Sequence, residues 1–262
     1  VKGYMSSITR LSARDYQIEG VYDALKHNRR LLISPTASGK SLMIYTLVRY
    51  FTEKKQQVLL VVPTTSLVEQ MYKDFIDYGW DAENHCHMIY SGKEKFDPRT
   101  VTITTWQSIY KLDKKFFEQF GVVIGDEAHQ FKSKSLVGIM TKLRDCKYRY
   151  GFTGTLDGTQ THKWVLEGLF GPSYKITHTS ELIKKGHLSK LDIRILLLKH
   201  APRHFDTYED ELQYLIGHEQ RNLFIKNLSL SLIGNTLILF TVAWMLKKEN
   251  KLDQLLNKRK ML

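Results

Sequence analysis

Short apolar runs alternate along the chain with longer stretches whose apolar residues recur at helical spacing. The apolar runs are rich in Val and Ile and predict strands at residues 30–34, 58–62, 87–90, 101–104, 122–125 and 148–152. The stretches between them predict helices over residues 41–51 and 66–78, and a capping-box pattern at Ser12 and Asp15 predicts another, ending near Lys26. Apolar strands separated by helices are typical of parallel sheets covered on both faces. We therefore expect an α/β fold with a mainly parallel sheet.

The pattern changes after Gly171 and Pro172. Beyond this point the sequence predicts helices and strands at residues 181–185, 191–199, 219–233 and 236–241. This second, sparser alternation indicates a further domain. We expect a first domain at residues 1–178 and a partial second one at residues 179–262.

One segment is long enough to raise the question of a membrane span. Twenty uncharged residues lie between Lys226 and Lys247, which matches the thickness of a bilayer. Several polar residues interrupt the segment, and Gly234 followed by Asn235 is typical of a helix end and a turn. The segment therefore favours a helix, a turn and a buried strand, and we expect no membrane association.

Composition narrows the class of protein. Of the 262 residues, 42% are hydrophobic and 25% are charged, which excludes disordered and fibrous classes. Cys86 and Cys146, the two cysteines, form no metal-binding pattern, and they indicate a reducing, cytoplasmic compartment. The formal net charge of +12 indicates a polyanionic partner, with nucleic acid favoured over an anionic membrane.

The segment after the first predicted strand has the pattern of a phosphate-binding loop. Small residues let backbone N–H groups approach phosphate oxygens, and the N-terminus of the following helix favours negative charge. Lys40 is expected to reach the β and γ phosphates of ATP, and the Ser41 hydroxyl to ligate Mg²⁺. Ser34 stands where the general pattern has Gly. The expected nucleotide-binding residues are Pro35, Thr36, Ala37, Ser38, Gly39, Lys40 and Ser41.

A second motif follows the apolar run at residues 122–125. Asp126 and Glu127 come directly after this buried strand, at the edge where open α/β sheets bind ligands. Asp126 is expected to hold Mg²⁺, and Glu127 to orient or deprotonate the attacking water. Asp126, Glu127, Ala128 and His129 form an acidic box. No second His or Cys accompanies His129 at metal-ligand spacing.

Together, the Asp126–His129 box and the Ser38–Ser41 loop resemble the motifs of DEAH-type superfamily-two helicases and translocases. Other segments resemble the family's remaining motifs in the same order. The resemblance implies adenine contacts at Arg14 and Gln17, nucleic-acid contacts at Pro63, Thr64, Thr104 and Thr105, and coupling of hydrolysis to movement through Thr153, Gly154 and Thr155. It also implies a catalytic set of Lys40, Asp126, Glu127 and His129, in which His129 bridges the ATP site to Thr153 or Thr155.

The resemblance implies a complete RecA-like P-loop domain and the first strand of a second one. It implies an ATP-dependent, Mg²⁺-dependent DNA helicase that acts on single-stranded or branched DNA in recombination, repair or fork processing, without requiring an oligomer. A duplex translocase that does not separate strands and an RNA helicase remain alternatives. A nucleic-acid-binding module with a vestigial ATP site is a third. Because the family's second-domain arginines have no counterpart after Phe240, we expect this chain alone to be weakly active or inactive.

Overall fold

A computed structural model describes residues 1–90, 97–156, 158–190, 195–197 and 203–233. The chain divides into two compact units, Val1–Leu191 and Asp192–Leu262. The first unit contains the sheet and all of the predicted motifs up to Thr155. The first compact unit continues to Leu191. The expected domain boundary at residue 178 stays a prediction.

The described part of the first unit forms one sheet of seven strands, and every paired strand runs parallel to its neighbour. The order across the sheet is β3-β4-β2-β5-β6-β1-β7. The strands are β1 (Arg29–Ile33), β2 (Val58–Val62), β3 (Cys86–Ile89), β4 (Val101–Thr105), β5 (Val122–Gly125), β6 (Tyr148–Thr153) and β7 (Ser173–Lys175).

Helices connect these strands and cover both faces of the sheet. In the first unit they are α1 (Lys2–Ile8), α2 (Asp15–Lys26), α3 (Lys40–Glu53), α4 (Thr65–Asp77), α5 (Ala82–His85), α6 (Trp106–Ile109), α7 (Lys114–Phe117), α8 (Lys134–Lys142), α9 (Gln160–Phe170) and α10 (Thr179–Lys184). A 3-10 helix covers Ala128–Lys132. The described part of the second unit contains α11 (Tyr208–Gly217) and α12 (Glu219–Ser231).

Two apolar clusters lie on opposite faces of the sheet. Leu32, on β1, belongs to the cluster that α1–α4 also supply, while its neighbour Leu31 belongs to the cluster beneath α8 and α9. Successive strand residues point to opposite faces, so a strand covered on both sides is apolar at most of its consecutive positions. The central strand β2 shows this directly, since all five of its residues are buried.

The structure confirms the predicted parallel α/β class, and a strand lies at each of the six runs proposed from residue 30 to residue 152. The strand β7 was not predicted. It has three residues and pairs with β1 alone, so its local apolar pattern is too short to indicate a strand.

Two further predictions meet different outcomes. The capping box at Ser12 is wrong, because α2 begins at Asp15 and Arg14 is its N-cap. The Arg14 N–H donates to the Gln17 side chain at 2.8 Å, so the reciprocal partner lies two residues later than expected. The strand proposed at residues 191–199 lies mostly outside the described residues, and 195–197, which are described, are not in a strand. The strand at residues 236–241 lies outside them entirely.

Candidate nucleotide site and motor motifs

The proposed phosphate loop links the end of β1 to the start of α3. Gly39 is the N-cap of α3 and has a φ of 78°, in the left-handed region that glycine adopts without steric cost. A Cβ added at Gly39 would collide with the Gln17 amide. The helix N-terminus therefore opens into the loop, where its unpaired N–H groups favour an anion.

Ser38 is held by hydrogen bonds from several sides. Its N–H donates to the Pro35 carbonyl at 3.2 Å, and its hydroxyl lies 2.6 Å from the Ser34 hydroxyl. Both serine side chains are fully buried. Ala37, between these partners, has a φ of 61°, an unusual conformation for a residue with a Cβ. Ser34, which stands where the general pattern has Gly, thus supplies a hydroxyl that contacts Ser38 across the base of the loop.

The segment expected to read adenine also contacts the phosphate loop. The Tyr16 hydroxyl and the Gln17 amide each donate to the Ser38 carbonyl at 2.9 Å. Arg14 donates to the Tyr16 hydroxyl at 2.8 Å, which completes a chain from Arg14 to the loop. The sequence pattern does not indicate a role for Tyr16. Its position beside Gln17 was the available signal, but its contact with Ser38 spans 22 residues and depends on tertiary structure.

The acidic box lies opposite the lysine of the loop. Glu127 Oε1 is 3.7 Å from the Lys40 ammonium nitrogen, and Glu127 itself has a φ of 48°. Asp126 is buried, and this burial raises the pKa of its carboxyl above the ordinary value, against the hydrogen bond that it accepts from the Glu127 N–H at 2.9 Å. A nearby cation would favour the ionised form of this buried carboxyl group.

The donor set at this edge is compatible with Mg²⁺ bound together with a nucleotide. Among the described residues no cluster of three or more His, Cys, Asp or Glu side chains could hold a metal ion. Mg²⁺ usually takes one or two protein oxygens and completes its shell with phosphate oxygens and water. Asp126 and Ser41 provide such oxygens.

His129 lies between the acidic box and the end of β6. Its Nδ1 atom is 3.3 Å from Glu127 Oε2 and 3.1 Å from the Thr153 hydroxyl oxygen. The Thr153 hydroxyl donates its own proton to the Thr155 carbonyl at 2.9 Å. Because that proton is already used, the contact requires Nδ1 of His129 to carry a hydrogen. Contacts thus run from Lys40 through Glu127 and His129 to Thr153.

Gly154 and His162 also belong to this region. A Cβ added at Gly154 would lie 3.7 Å from the Lys40 ammonium nitrogen, so the Thr153–Thr155 segment passes close to the phosphate loop. His162, on α9, lies with Nε2 2.9 Å from the His129 carbonyl oxygen. The sequence does not indicate a role for His162, since nothing in its local pattern distinguishes it from other helical residues.

The four residues expected to contact nucleic acid follow β2 and end β4. Thr64 is exposed and caps α4 by accepting a hydrogen bond from the Leu67 N–H at 3.3 Å, and Pro63 beside it is half-buried. Thr105 pairs with the Ser108 hydroxyl at 2.9 Å, and Thr104 is fully buried and donates to the Ile89 carbonyl. The structure thus brings Thr64 to the surface but not Thr104. Their nucleic-acid contacts stay predictions.

Along the described part of the chain, no helix combines the length and the apolarity that a bilayer crossing requires.

This chain is similar in sequence to a known family and to two characterised proteins. Residues 10–158 match the ResIII family, described as the type III restriction enzyme res subunit. The chain is 33% identical over 234 residues to the ATP-dependent DNA helicase uvsW of enterobacteria phage T4, covering 85% of this chain and 46% of the relative. It is 28% identical over 222 residues to the DNA 3'-5' translocase XPB2 of Sulfurisphaera tokodaii, covering 84% of this chain and 48% of the relative.

Solved structures agree with these relatives. The crystal structure of the UvsW helicase from bacteriophage T4 superposes with a TM-score of 0.60 at 33% identity, covering 66% of this chain and 65% of that one. The chain spans about half the length of the curated relatives it matches. Since the ResIII match covers more than half of the chain and the nucleotide site carries the expected motifs, the chain belongs to the ResIII family of DEAH-type superfamily-two helicases.

Proposed function

We propose that this chain is the ATPase core of a DNA motor that acts on branched DNA in recombination, repair or replication-fork processing. The observation that carries the proposal is the run of contacts from Lys40 through Glu127 and His129 to Thr153. It joins the residue expected to bind phosphate to the segment expected to couple hydrolysis to movement. A nucleic-acid-binding module with a vestigial ATP site would have no need of this connection.

Each residue of the site has a proposed role in hydrolysis. Lys40 and the loop N–H groups would bind the phosphates of ATP. Ser41 and Asp126 would hold Mg²⁺, which would supply positive charge against the phosphates. Glu127 orients the attacking water and accepts its proton. Arg14 and Gln17 bind the adenine, and Gln17 reports occupancy to the loop through its bond to the Ser38 carbonyl.

The substrate assignment rests on relatives and on charge. One relative is named a DNA helicase, and the net charge of +12 favours a phosphate backbone. We propose that Pro63 and Thr64 line the strand-binding edge, with Thr104 and Thr105 buried beside them at the end of β4. We also propose that the protein works in the cytoplasm, which for a phage relative means that of the host.

Duplex translocation without strand separation is a second candidate. Two observations favour it: a 28% identical relative is named a DNA translocase, and the matched family is that of a restriction subunit. Both candidates use the same ATP site, so the residues at that site do not distinguish them.

The deciding experiment uses a longer chain that includes a complete second RecA-like domain, since residues 1–262 alone are expected to be weakly active or inactive. It measures ATP turnover alone and with single-stranded DNA, forked DNA, duplex DNA and RNA, beside a strand-displacement assay. A helicase should respond most to forked DNA and displace a strand. A translocase should respond to duplex DNA and displace none. Turnover that no nucleic acid stimulates, with ATP bound, would contradict a motor, and stimulation by RNA alone would replace DNA as the substrate.

A further inference from the structure

The edge of the sheet opposite the motifs is strongly basic. All of the motif residues that follow strands lie at the carboxyl ends of those strands. Because every strand is parallel, the amino ends share the other edge, about 17 Å away for a five-residue strand. Exposed cations collect there, and we call them the basic edge: Lys26, Arg29, Lys54, Lys55, Arg144 and Lys147.

Strand order and packing bring these residues together. Lys54 and Lys55 precede β2, Lys147 precedes β6 and Arg29 begins β1, and the four strands β2, β5, β6 and β1 are consecutive neighbours. The Phe51 and Tyr148 rings, 4.6 Å apart, place the end of α3 against the start of β6. The row spans about 14 Å at the usual strand spacing.

Acidic side chains do not neutralise the basic edge. Among the described residues, none of its six cations is ion-paired, and the acids nearby pair with other cations: Asp23 with Arg30, Glu53 with Arg49, and Asp145 with Lys114. Asp145 is the most exposed of these acids, at 76% for its side chain, and it is 3.9 Å from Lys114.

Two arginines at this edge oppose each other across strands. Arg29 on β1 is in register with Arg149 on β6, a like-charge arrangement that destabilises a sheet. Arg149 is buried and donates to the carbonyls of Leu143, Arg144 and Cys146 rather than to a carboxylate. Burial first, and the charge of Arg29 second, lower the pKa of Arg149. An external anion would relieve this repulsion.

Helix stabilisation accounts for only part of the cluster. Lys26 and Lys54 lie at the carboxyl ends of α2 and α3, where cations interact favourably with the helix dipole. Arg29 and Lys147 lie outside helices and gain nothing from such a dipole. Lys54 and Lys147 also contact aromatic rings, those of Tyr50 at 5.8 Å and Tyr148 at 5.1 Å, but a ring contact does not neutralise a cation. The cluster therefore keeps a net positive charge.

We propose that the basic edge is a second DNA-binding surface, which holds the phosphate backbone of a duplex arm. The opposite edge, where the motif residues lie at the carboxyl ends of the strands, acts on another strand, and we call it the motif edge. The inference rests on the proposed function, since DNA is the polyanion that such a motor meets. A duplex carries one charge per about 1.7 Å, so about eight phosphate charges face a row of this length.

The test compares three variants with the wild-type chain for binding to a duplex of about 30 base pairs between about 50 and 200 mM salt. The edge variant carries Arg29→Gln, Lys54→Gln and Lys147→Gln. The matched control carries Lys2→Gln, Lys184→Gln and Lys190→Gln, which remove the same charge from exposed sites elsewhere in the described chain. A third variant, with Arg29→Lys, Lys54→Arg and Lys147→Arg, keeps the charge.

The edge variant should lose affinity about tenfold or more at low salt, and the slope of log affinity against log salt should fall by about 2 to 3. The control and the charge-keeping variant should bind like the wild type. ATP turnover stimulated by an oligonucleotide of about 8 nucleotides, which suits the motif edge alone, should be unchanged in all three variants. Thermal unfolding checks that each variant is folded.

Three results would overturn the inference. Equal losses in the edge and control variants would indicate unspecific attraction to net charge. An unchanged slope in the edge variant, while the wild type binds DNA, would show that the basic edge does not bind DNA. The proposed function would still stand in that case. Binding of the same variants to vesicles of anionic lipid is measured beside the duplex. Loss of vesicle binding in the edge variant, with its DNA binding retained, would assign the edge to a membrane. Wild-type protein that neither binds DNA nor responds to it would instead overturn the proposed function, and the inference with it.

Discussion

The Nδ1 atom of His129 lies 3.1 Å from the hydroxyl oxygen of Thr153, and this contact joins the acidic box to the segment that ends β6. The same nitrogen is 3.3 Å from Glu127 Oε2. A change in the position or charge of Glu127 during hydrolysis would alter whether Nδ1 of His129 contacts Glu127 Oε2 or the Thr153 hydroxyl oxygen. The geometry thus offers a direct mechanical route from the ATP site to Thr153.

Thr153→Val tests this route. Valine removes the hydroxyl that contacts His129 and keeps most of the side-chain volume, so we expect ATP binding to persist while DNA stimulation of turnover falls by about tenfold or more. Turnover with and without DNA, beside the ATP dissociation constant, provides the measurement. Thr141→Val is the control, because its hydroxyl donates only within α8 to the Val137 carbonyl. Full DNA stimulation in the Thr153 variant would show that coupling takes another path.

Lys40→Ala and Glu127→Gln should separate binding from chemistry. Lys40 offers a charge to the phosphates, so its loss should weaken ATP binding and abolish turnover in the full-length protein. Glu127→Gln keeps the shape of the side chain but removes the base, so ATP should bind while turnover falls by about 10² or more. Nucleotide binding by titration calorimetry and phosphate release provide the readouts. Undiminished turnover in either variant would contradict the assigned roles.

Gly171→Ala should destabilise the first unit. Gly171 ends α9 with a φ of 101°, and an added Cβ would lie 2.6 Å from the Arg29 carbonyl oxygen. Strain and overlap together should cost about 2–4 kcal/mol in the free energy of unfolding. Gly168→Ala is the matched control, because Gly168 lies within α9 with open space around its Cβ position. It should stabilise by about 0.5–1 kcal/mol. Urea denaturation measures both, and similar effects would refute the geometry.

Asp97 should make stability depend on pH in the acid range. The Arg99 guanidinium donates to this carboxylate through Nε at 2.7 Å and Nη2 at 2.6 Å, and lowers the pKa of Asp97 far below its ordinary value. A lowered folded-state pKa adds stability above the unfolded value of about 3.9, and this stability is lost as the pH falls further. Asp97→Asn should therefore be less stable than wild type at pH 5–8, and the difference should shrink below about pH 4.

Arg99→Gln provides the complementary measurement, because it removes the other partner of the same ion pair. Its loss of stability should follow the same pH profile in urea denaturation. A difference between wild type and either variant that stays constant down to about pH 2 would show that the ion pair does not set the profile.

The local sequence determined the elements and the motifs. Strands buried in a parallel sheet are mostly apolar along their whole length, so their runs stand out without any knowledge of their neighbours. The phosphate loop and the acidic box are equally local, since each depends on a few adjacent residues at a strand end. Six of the strands, the α/β class and the family follow from such segments alone.

Tertiary structure decided what depends on distant residues. The strand β7 exists because β1 offers it an open edge, and Tyr16 holds the phosphate loop because α2 packs beside it. Thr104 is buried although its motif suggested a nucleic-acid contact, because its strand lies between β3 and β2. Its hydroxyl donates to the Ile89 carbonyl on β3, which satisfies the buried group. The basic edge depends on strand order, which places residues from positions 26 to 147 side by side. Contacts of this kind carry no local signature, because the partners of a side chain are set by how the strands pack together rather than by neighbours in the sequence.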